Sequence, residues 1–309
     1  MFNEHFSHFL SFGATDQQTV IALADQIDGL LVPGTIAAFQ RDGTGGFVLS
    51  LSAATSSLKY LIDPRFPLFQ QKLETPKRSH ELLAELLGAP ELVQTQADPR
   101  PEDFSPTLIS TVTQSWVDFN LAYSSTANSK FDKYAKRLGE EPKVEDARPP
   151  DAILAPYLIS NGEGDAWWEL SKQLFDGTVR AGGDTANCVR VIAASSPGTL
   201  EAHALSVPDA NLVIWVSGLD EMRSGALELA QYAKTIRRMS AASKRSFALY
   251  GGFFAVILQN LGLGGASHGI GFGEYRDWVE LPQSGMPPAR YYVPQIHRYL
   301  QNTECFISE

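Results

Sequence analysis

Eight short runs of apolar residues constrain the fold of this chain more than any other feature of its sequence. A parallel strand that is covered on both faces reads as a continuous apolar run, whereas a half-exposed strand alternates apolar and polar residues. The clearest run, 211–217 (NLVIWVS), shows no such alternation. We therefore expect buried parallel strands at 29–36, 58–63, 152–160, 188–195, 211–217, 246–250, 265–271 and 289–293.

Helical patterns lie between many of these runs, and this alternation indicates βαβ units with a parallel sheet. Eight strands in roughly 250 residues are typical of a (β/α)₈, or TIM-like, barrel. Two crossovers are irregular, because 47–52 resembles an additional strand and 272–288 resembles a loop. An open doubly wound α/β sheet is the alternative. Helices are predicted at 164–175, 199–205, 224–239 and 252–261, with one more at 15–27 across the bottom of the barrel.

Residues 66–150 interrupt the alternation after the second predicted strand, so they form a helical insertion in a barrel made of 1–65 and 151–309. A short helix is expected at 79–87 and a long one from Ser105 to about 138, with Ser105 as its N-cap. An insertion at this point would overhang the mouth of the barrel. It is therefore predicted to act as a lid or as a docking surface for a protein partner.

Composition excludes several classes of protein. A formal charge of −10 and a pI near 5.1 argue against a nucleic-acid-binding surface, although a local basic patch is left open. The two cysteines do not have metal-ligand spacing, and neither a Walker A sequence nor an HExxH motif occurs. No membrane segment or secretory signal is recognisable, so a cytoplasmic location is expected. The sequence indicates no particular cofactor, and a carboxylate-bound Mg²⁺ is left open.

The run 262–274 (GLGGASHGIGFGE) contains six glycines together with Ser267, His268 and Glu274. The pattern G-x-S-x-G within it matches a nucleophile elbow, but too few residues follow to carry the remaining members of a triad. In a barrel, glycine-rich loops after the last strands often bind phosphate through backbone N–H groups. We therefore expect His268 to act in acid–base chemistry, unless it and Ser267 only satisfy buried backbone groups. The predicted anion-binding glycines are Gly269, Gly271 and Gly273.

Two aspartates follow predicted strands. Asp63 ends the second run, and Asp220 lies just beyond the fifth. Carboxylates at the ends of separate barrel strands would provide the pair of groups that acid–base or glycosyl chemistry requires. Each aspartate has a structural alternative, because Asp63 can cap its own turn and Asp220 can be the N-cap of the following helix.

These observations favour an enzyme, a hydrolase or a transferase, that acts on a small polar, anionic ligand of phosphate, nucleotide or sugar type. The predicted catalytic groups are Asp63, Asp220, His268 and Glu274. The alternative is a non-catalytic barrel that serves as a binding or assembly subunit through its helical insertion. No metal ligand is predicted, and the remaining predicted ligand-binding residues at strand ends are Tyr157, Ser195, Tyr250, Gly251, Ser267 and Arg290.

Overall fold

A closed barrel of eight parallel strands forms the centre of the molecule. The computed structural model describes residues 5–13, 16–55, 57–126, 129–138 and 142–269, and the strands Arg290–Val293 and Arg298–Gln301. The strand order is β1-β2-β3-β4-β6-β7-β8-β9, and β9 pairs in parallel with β1 to close the ring. The barrel strands are β1 (Ser7–Ser11), β2 (Gly29–Pro33), β3 (Lys59–Asp63), β4 (Ile153–Leu154), its continuation β5 (Ile159–Ser160), β6 (Cys188–Ala194), β7 (Asn211–Val216), β8 (Arg245–Ala248) and β9 (Leu263–His268).

Helices surround this ring, as the (β/α)₈ prediction requires, and the predicted fold class is confirmed. None of the helices in the described part of the chain is long and apolar enough to cross a membrane. The helices are α1 (Gln17–Leu23), α2 (Gly34–Phe39), α3 (Arg41–Ala54), α4 (Arg78–Leu86), α5 (Pro106–Ala122), α6 (Ser129–Leu138), α7 (Ala166–Gly182), α8 (Pro197–Ser206), α9 (Ala226–Ala241) and α10 (Phe253–Ile257).

The strand that closes the barrel is not the predicted one. Seven of the predicted runs contain barrel strands, but 289–293 forms β10 (Arg290–Val293), which pairs antiparallel with β11 (Arg298–Gln301) outside the barrel sheet. The eighth position is occupied by β1, in a segment where the sequence predicts no strand. Its sequence SHFLS mixes polar and apolar residues on both faces, so it has neither a continuous apolar run nor a clean alternation. The helix α1 consequently connects β1 to β2 instead of preceding the barrel.

The predicted additional strand at 47–52 is also wrong, because these residues lie within α3. Every residue from Thr44 to Ser52 is buried. The helix packs so closely against α6 that a Cβ on Gly46 would lie 2.7 Å from the Cβ of Lys130. A helix that is covered all round loses the 3.6-residue periodicity, and a stretch of it then resembles a buried strand.

The helices of segment 66–150 pack in the layer around the barrel, with α4 against α2, α5 against α7 and α6 against α3. The long predicted helix is divided into α5 and α6, and the predicted N-cap is confirmed because Ser105 Oγ accepts a hydrogen bond from the Leu108 N–H at 3.2 Å. The role of this segment as a lid or docking surface stays a prediction.

One barrel strand is interrupted between β4 and β5, where Pro156 cannot donate a backbone hydrogen bond. Side chains from the surrounding elements replace the missing strand partners. The Trp116 indole donates to Leu154 O at 2.8 Å, and the Gln70 amide bonds both the N–H and the C=O of Ile159. These contacts fix the chain on either side of Tyr157, whose ring points into the barrel.

The interior of the barrel is filled. Phe9, Leu31, Leu61, Val213 and Phe247 from five different strands form one buried apolar cluster. Because the centre is closed in this way, a ligand can meet the barrel only at its ends, and polar side chains accumulate at the carboxyl end of the strands.

Candidate functional site

Asp63, the last residue of β3, is the centre of a buried polar cluster at the carboxyl end of the barrel. It has no exposed surface. The hydroxyl of Tyr157 donates to its Oδ1 at 2.9 Å, and the hydroxyl of Tyr250 donates to its Oδ2 at 2.6 Å. The Arg65 N–H also donates to Oδ1, at 3.0 Å. Three donors on one carboxylate satisfy most of its hydrogen-bonding capacity, which is what burial of a charged group requires.

Both tyrosines of this cluster are held in the protonated form. Burial is the main reason why the pKa of Tyr157 lies well above its usual range, and the nearby Asp63 carboxylate raises it further. Burial likewise raises the pKa of Tyr250, against an opposing effect of Arg65. The two hydroxyls therefore act as donors toward Asp63, and a stable phenolate at either position is disfavoured.

Arg65 approaches the same carboxylate from the loop after β3. Its backbone is in the left-handed region, with φ 54° and ψ 29°, which is uncommon for a residue other than glycine and is found often at functional sites. The hydrogen bond from its N–H to Asp63 across Pro64 holds this conformation. Its side chain is only 13% exposed and contacts Asp63 through Nε at 3.7 Å, an ion pair that is longer than a hydrogen bond.

Trp215 completes the cluster from β7. Its ring packs edge-on against Tyr157 and Tyr250, with centroid distances of 6.1 and 5.3 Å. The residue is 4% exposed, and its Nε1–H is buried without a hydrogen-bond partner in the described part of the chain. An indole N–H that is buried normally has a partner. We define the polar cluster as Asp63, Arg65, Tyr157, Trp215 and Tyr250.

Asp220 and Gly251 are joined to the polar cluster through Tyr250, because all three residues line one small cavity between the loops after β7 and β8. Asp220 is not the N-cap of the following helix, because Gly225 holds that position in front of α9. Its Oδ1 accepts from the Met222 N–H at 2.8 Å, and it forms an ion pair with Arg223 at 3.5 Å. The carboxylate therefore stabilises its own turn at the edge of this cavity.

His268 does not join the polar cluster. It lies on the outer face of β9, in register with Leu10, and its ring packs against His8 at 5.4 Å and near Phe6. Its Nδ1 lies 2.9 Å from Gly251 O and donates to it, while Nε2 is buried without a partner among the described residues. Burial, followed by the proximity of His8, lowers the pKa of His268 to about 4, although the bond to Gly251 opposes this effect. The side chain is neutral at physiological pH.

The Ser267 side chain points into the barrel, where it forms a hydrogen bond with a main-chain carbonyl. Its Oγ donates to Leu249 O and lies 3.2 Å from Ser11 Oγ. It lies within the regular strand β9, and its bond to a buried carbonyl agrees with the structural alternative for this serine.

The other predicted residues are dispersed or undescribed. Ser195 is exposed beyond the end of β6, away from the contacts of the polar cluster. Gly269 is the last described residue of its segment, Gly271, Gly273 and Glu274 lie outside the described residues, and Arg290 begins β10 with an undescribed side chain. Within the described ranges, no three histidine, cysteine or acidic side chains lie close enough together to hold a metal ion.

Two members of the polar cluster were missed by the sequence analysis. Arg65 follows Asp63 by two residues, so the turn IDPR was itself a usable signal. Trp215 lies in the most apolar run of the chain, where a tryptophan is expected to be core. Only the direction of its side chain, toward the other members of the polar cluster, distinguishes Trp215 from an ordinary core residue. A continuous apolar run does not reveal the direction in which a side chain points.

Together, the fold and the polar cluster define a (β/α)₈-barrel protein with a charged centre at the carboxyl ends of its strands. Neither a protein-family profile nor a curated protein matches the chain in sequence. Similar solved structures include two mutant tryptophan synthase α-subunits from the hyperthermophile Pyrococcus furiosus. The first is 10% identical to this chain, with a TM-score of 0.41, and the match covers 89% of this chain and 91% of the other. The second is 12% identical, with a TM-score of 0.39, and the match covers 87% of this chain and 89% of the other. At these levels the likeness says nothing about the ligand or the reaction.

Proposed function

We propose that this protein is a barrel enzyme, a hydrolase or transferase, that performs acid–base chemistry on a small polar, anionic ligand of phosphate, nucleotide or sugar type. The observation that carries the proposal is the buried Asp63 carboxylate with one tyrosine hydroxyl on each oxygen. Active sites of barrel enzymes are built at this end from residues of several different strands. A buried carboxylate held by donors from separate strands is a costly arrangement that the apolar barrel core does not need.

Proton transfer would pass through Tyr250. Asp63 has no exposed surface, so it meets the ligand only through a tyrosine, and Tyr250 is the partly exposed one. A ligand group would give its proton to Tyr250 Oη while the hydroxyl proton moves to Asp63 Oδ2, and the reverse transfer would protonate a leaving group. The raised pKa of Tyr250 favours this relay, because a phenolate does not accumulate. Tyr250 is the proposed catalytic residue, and Asp63 is the base behind it.

The predicted glycosyl-type chemistry needs a second carboxylate. Asp220 is the candidate, because it lines the cavity that Tyr250 also lines. In this role Asp220 would bind the ligand while its Oδ1 accepts from the Met222 N–H and its Oδ2 pairs with Arg223. The proposed roles of Glu274 and of the glycine loop Gly269–Gly271–Gly273 stay predictions, and so does the alternative of a docking subunit that uses segment 66–150.

The experiment is a turnover screen with phosphate monoesters, nucleotides and nitrophenyl glycosides, followed by Tyr250→Phe on any substrate that reacts. We expect kcat to fall by roughly 10²–10⁴-fold in this variant, which is the usual contribution of a positioned acid–base group. Tyr134→Phe is a matched control, because this hydroxyl accepts from Gln17 at 3.3 Å and lies outside the polar cluster. Undiminished turnover by Tyr250→Phe, or neither binding nor turnover of any compound by the wild type, would contradict the proposal.

A further inference from the structure

The Arg65 side chain makes no hydrogen bond with the described residues, although it is almost completely buried. Its one charged contact is the 3.7 Å ion pair from Nε to Asp63, and Nη1 has neither exposed surface nor a partner within the described ranges. A guanidinium carries five N–H donors, and buried donors without acceptors are strongly unfavourable. Nη1 is therefore an unsatisfied buried donor, whereas the Arg65 backbone is fixed by the bond from its N–H to Asp63 Oδ1.

A second unsatisfied donor belongs to the same cluster. The Trp215 Nε1–H has no partner in the described chain, and its ring packs on Tyr250, which in turn donates to Asp63. Two under-satisfied donors, one of them cationic, thus adjoin one pair of tyrosines. Donors of this kind are satisfied by oxygen acceptors that carry negative charge.

We infer that Arg65 and Trp215 bind an oxyanion group of the ligand, a carboxylate or a phosphate, next to the Tyr250 hydroxyl. This inference rests on the proposed function and specifies the chemical group that the same site recognises. A planar guanidinium matches two oxygens of a carboxylate or phosphate at once, which a lysine does not do. The inferred ligand therefore carries its anionic group and its proton-exchanging group close together.

Binding requires the Arg65 side chain to turn. Arg65 Nη1 and Trp215 Nε1 have no surface exposed to solvent, so the inferred site requires the guanidinium to turn and admit the oxyanion. One ion pair of 3.7 Å is the only charged contact that opposes this rotation among the described residues.

The test is calorimetric titration of the whole protein with inorganic phosphate and, separately, with acetate, using chloride at equal ionic strength as the blank. Arg65→Asn is the informative variant, because asparagine tolerates the left-handed backbone at this position. We expect it to weaken oxyanion binding by about tenfold or more, as loss of charge-assisted hydrogen bonds implies. The preferred ion then distinguishes a phosphate ligand from a carboxylate ligand.

Arg78→Asn is the charge-matched control, since Arg78 is exposed on α4 and pairs with Glu81 and Glu85 of the same helix. It should bind the ion within twofold of the wild type. Circular dichroism verifies folding. If Arg65→Asn does not fold, the second variant is Arg65→Lys, which keeps the positive charge but loses the two parallel N–H donors of the guanidinium. Wild-type protein that binds neither ion, or an Arg65 variant that binds as tightly as the wild type, would overturn the inference.

The two proposals fail separately. Tyr250→Phe is expected to bind the ion nearly as well as the wild type while losing turnover. If it keeps both properties and Arg65→Asn loses binding, the oxyanion site stands and the proton relay is wrong. If Arg65→Asn binds normally and Tyr250→Phe is inactive, the relay stands and the oxyanion site is wrong.

Discussion

Replacement of His268 tests the assignment of this residue to the outer face of the barrel. His268→Asn keeps a donor near the Nδ1 position that bonds Gly251 O, but removes the titratable ring that packs on His8. If His268 were part of a solvated catalytic mouth, it would take up a proton near its ordinary pKa and contribute little to the pH dependence of folding. Its burial predicts a different result.

The sign of the effect follows from the lowered pKa. The pKa of His268 is about 6.5 in the unfolded chain, whereas burial lowers this pKa to about 4 in the folded protein. Between these values the unfolded state holds the extra proton, so the free energy of unfolding falls as the pH is lowered. At about 1.36 kcal/mol for each pH unit, the full loss amounts to about 3 kcal/mol and is complete near pH 4.

Urea denaturation of the wild type and His268→Asn at pH 7 and pH 4.5 measures this loss. The variant should lose about 2–3 kcal/mol less than the wild type between the two pH values, whatever its stability at pH 7. His5→Asn removes an exposed histidine and serves as the control. Equal pH dependence in His268→Asn and the wild type would refute the buried, neutral assignment, and so would an NMR titration of His268 with a midpoint near 6.5.

Two further predictions concern the elements that support the site. Gly177→Ala in α7 should destabilise the protein by about 1–2 kcal/mol, because the new Cβ would lie 2.9 Å from Thr113 Oγ1. The same change usually stabilises a helix. Adding Thr113→Ala should recover stability in thermal unfolding, and a single Gly177→Ala variant that is stabilised would contradict this packing. Trp116→Phe removes the donor to Leu154 O and should cost about 1–3 kcal/mol in chemical denaturation, whereas a loss below roughly 0.5 kcal/mol would show that this bond does not hold the interrupted strand.

Part of the polar cluster was accessible from the sequence. The sequence predicts Asp63, Tyr157 and Tyr250 as site residues because they stand at the ends of apolar runs, and the structure joins them by two hydrogen bonds. The same pattern predicts His268 as a site residue, but its side chain points outward. Its run is rich in glycine, so the alternation that separates the two faces of a strand was hidden.

Sequence alone determined the class of fold, because strands that are buried on both faces leave continuous apolar runs and helices leave a longer period. It also located the carboxyl ends of most strands, which is where polar residues of a filled barrel collect. Only the tertiary structure decided that β1 closes the ring and that Arg65 and Trp215 meet the two tyrosines. Closure and side-chain direction depend on the register between strands that are far apart in the chain, and a shift of one residue turns every side chain to the opposite face.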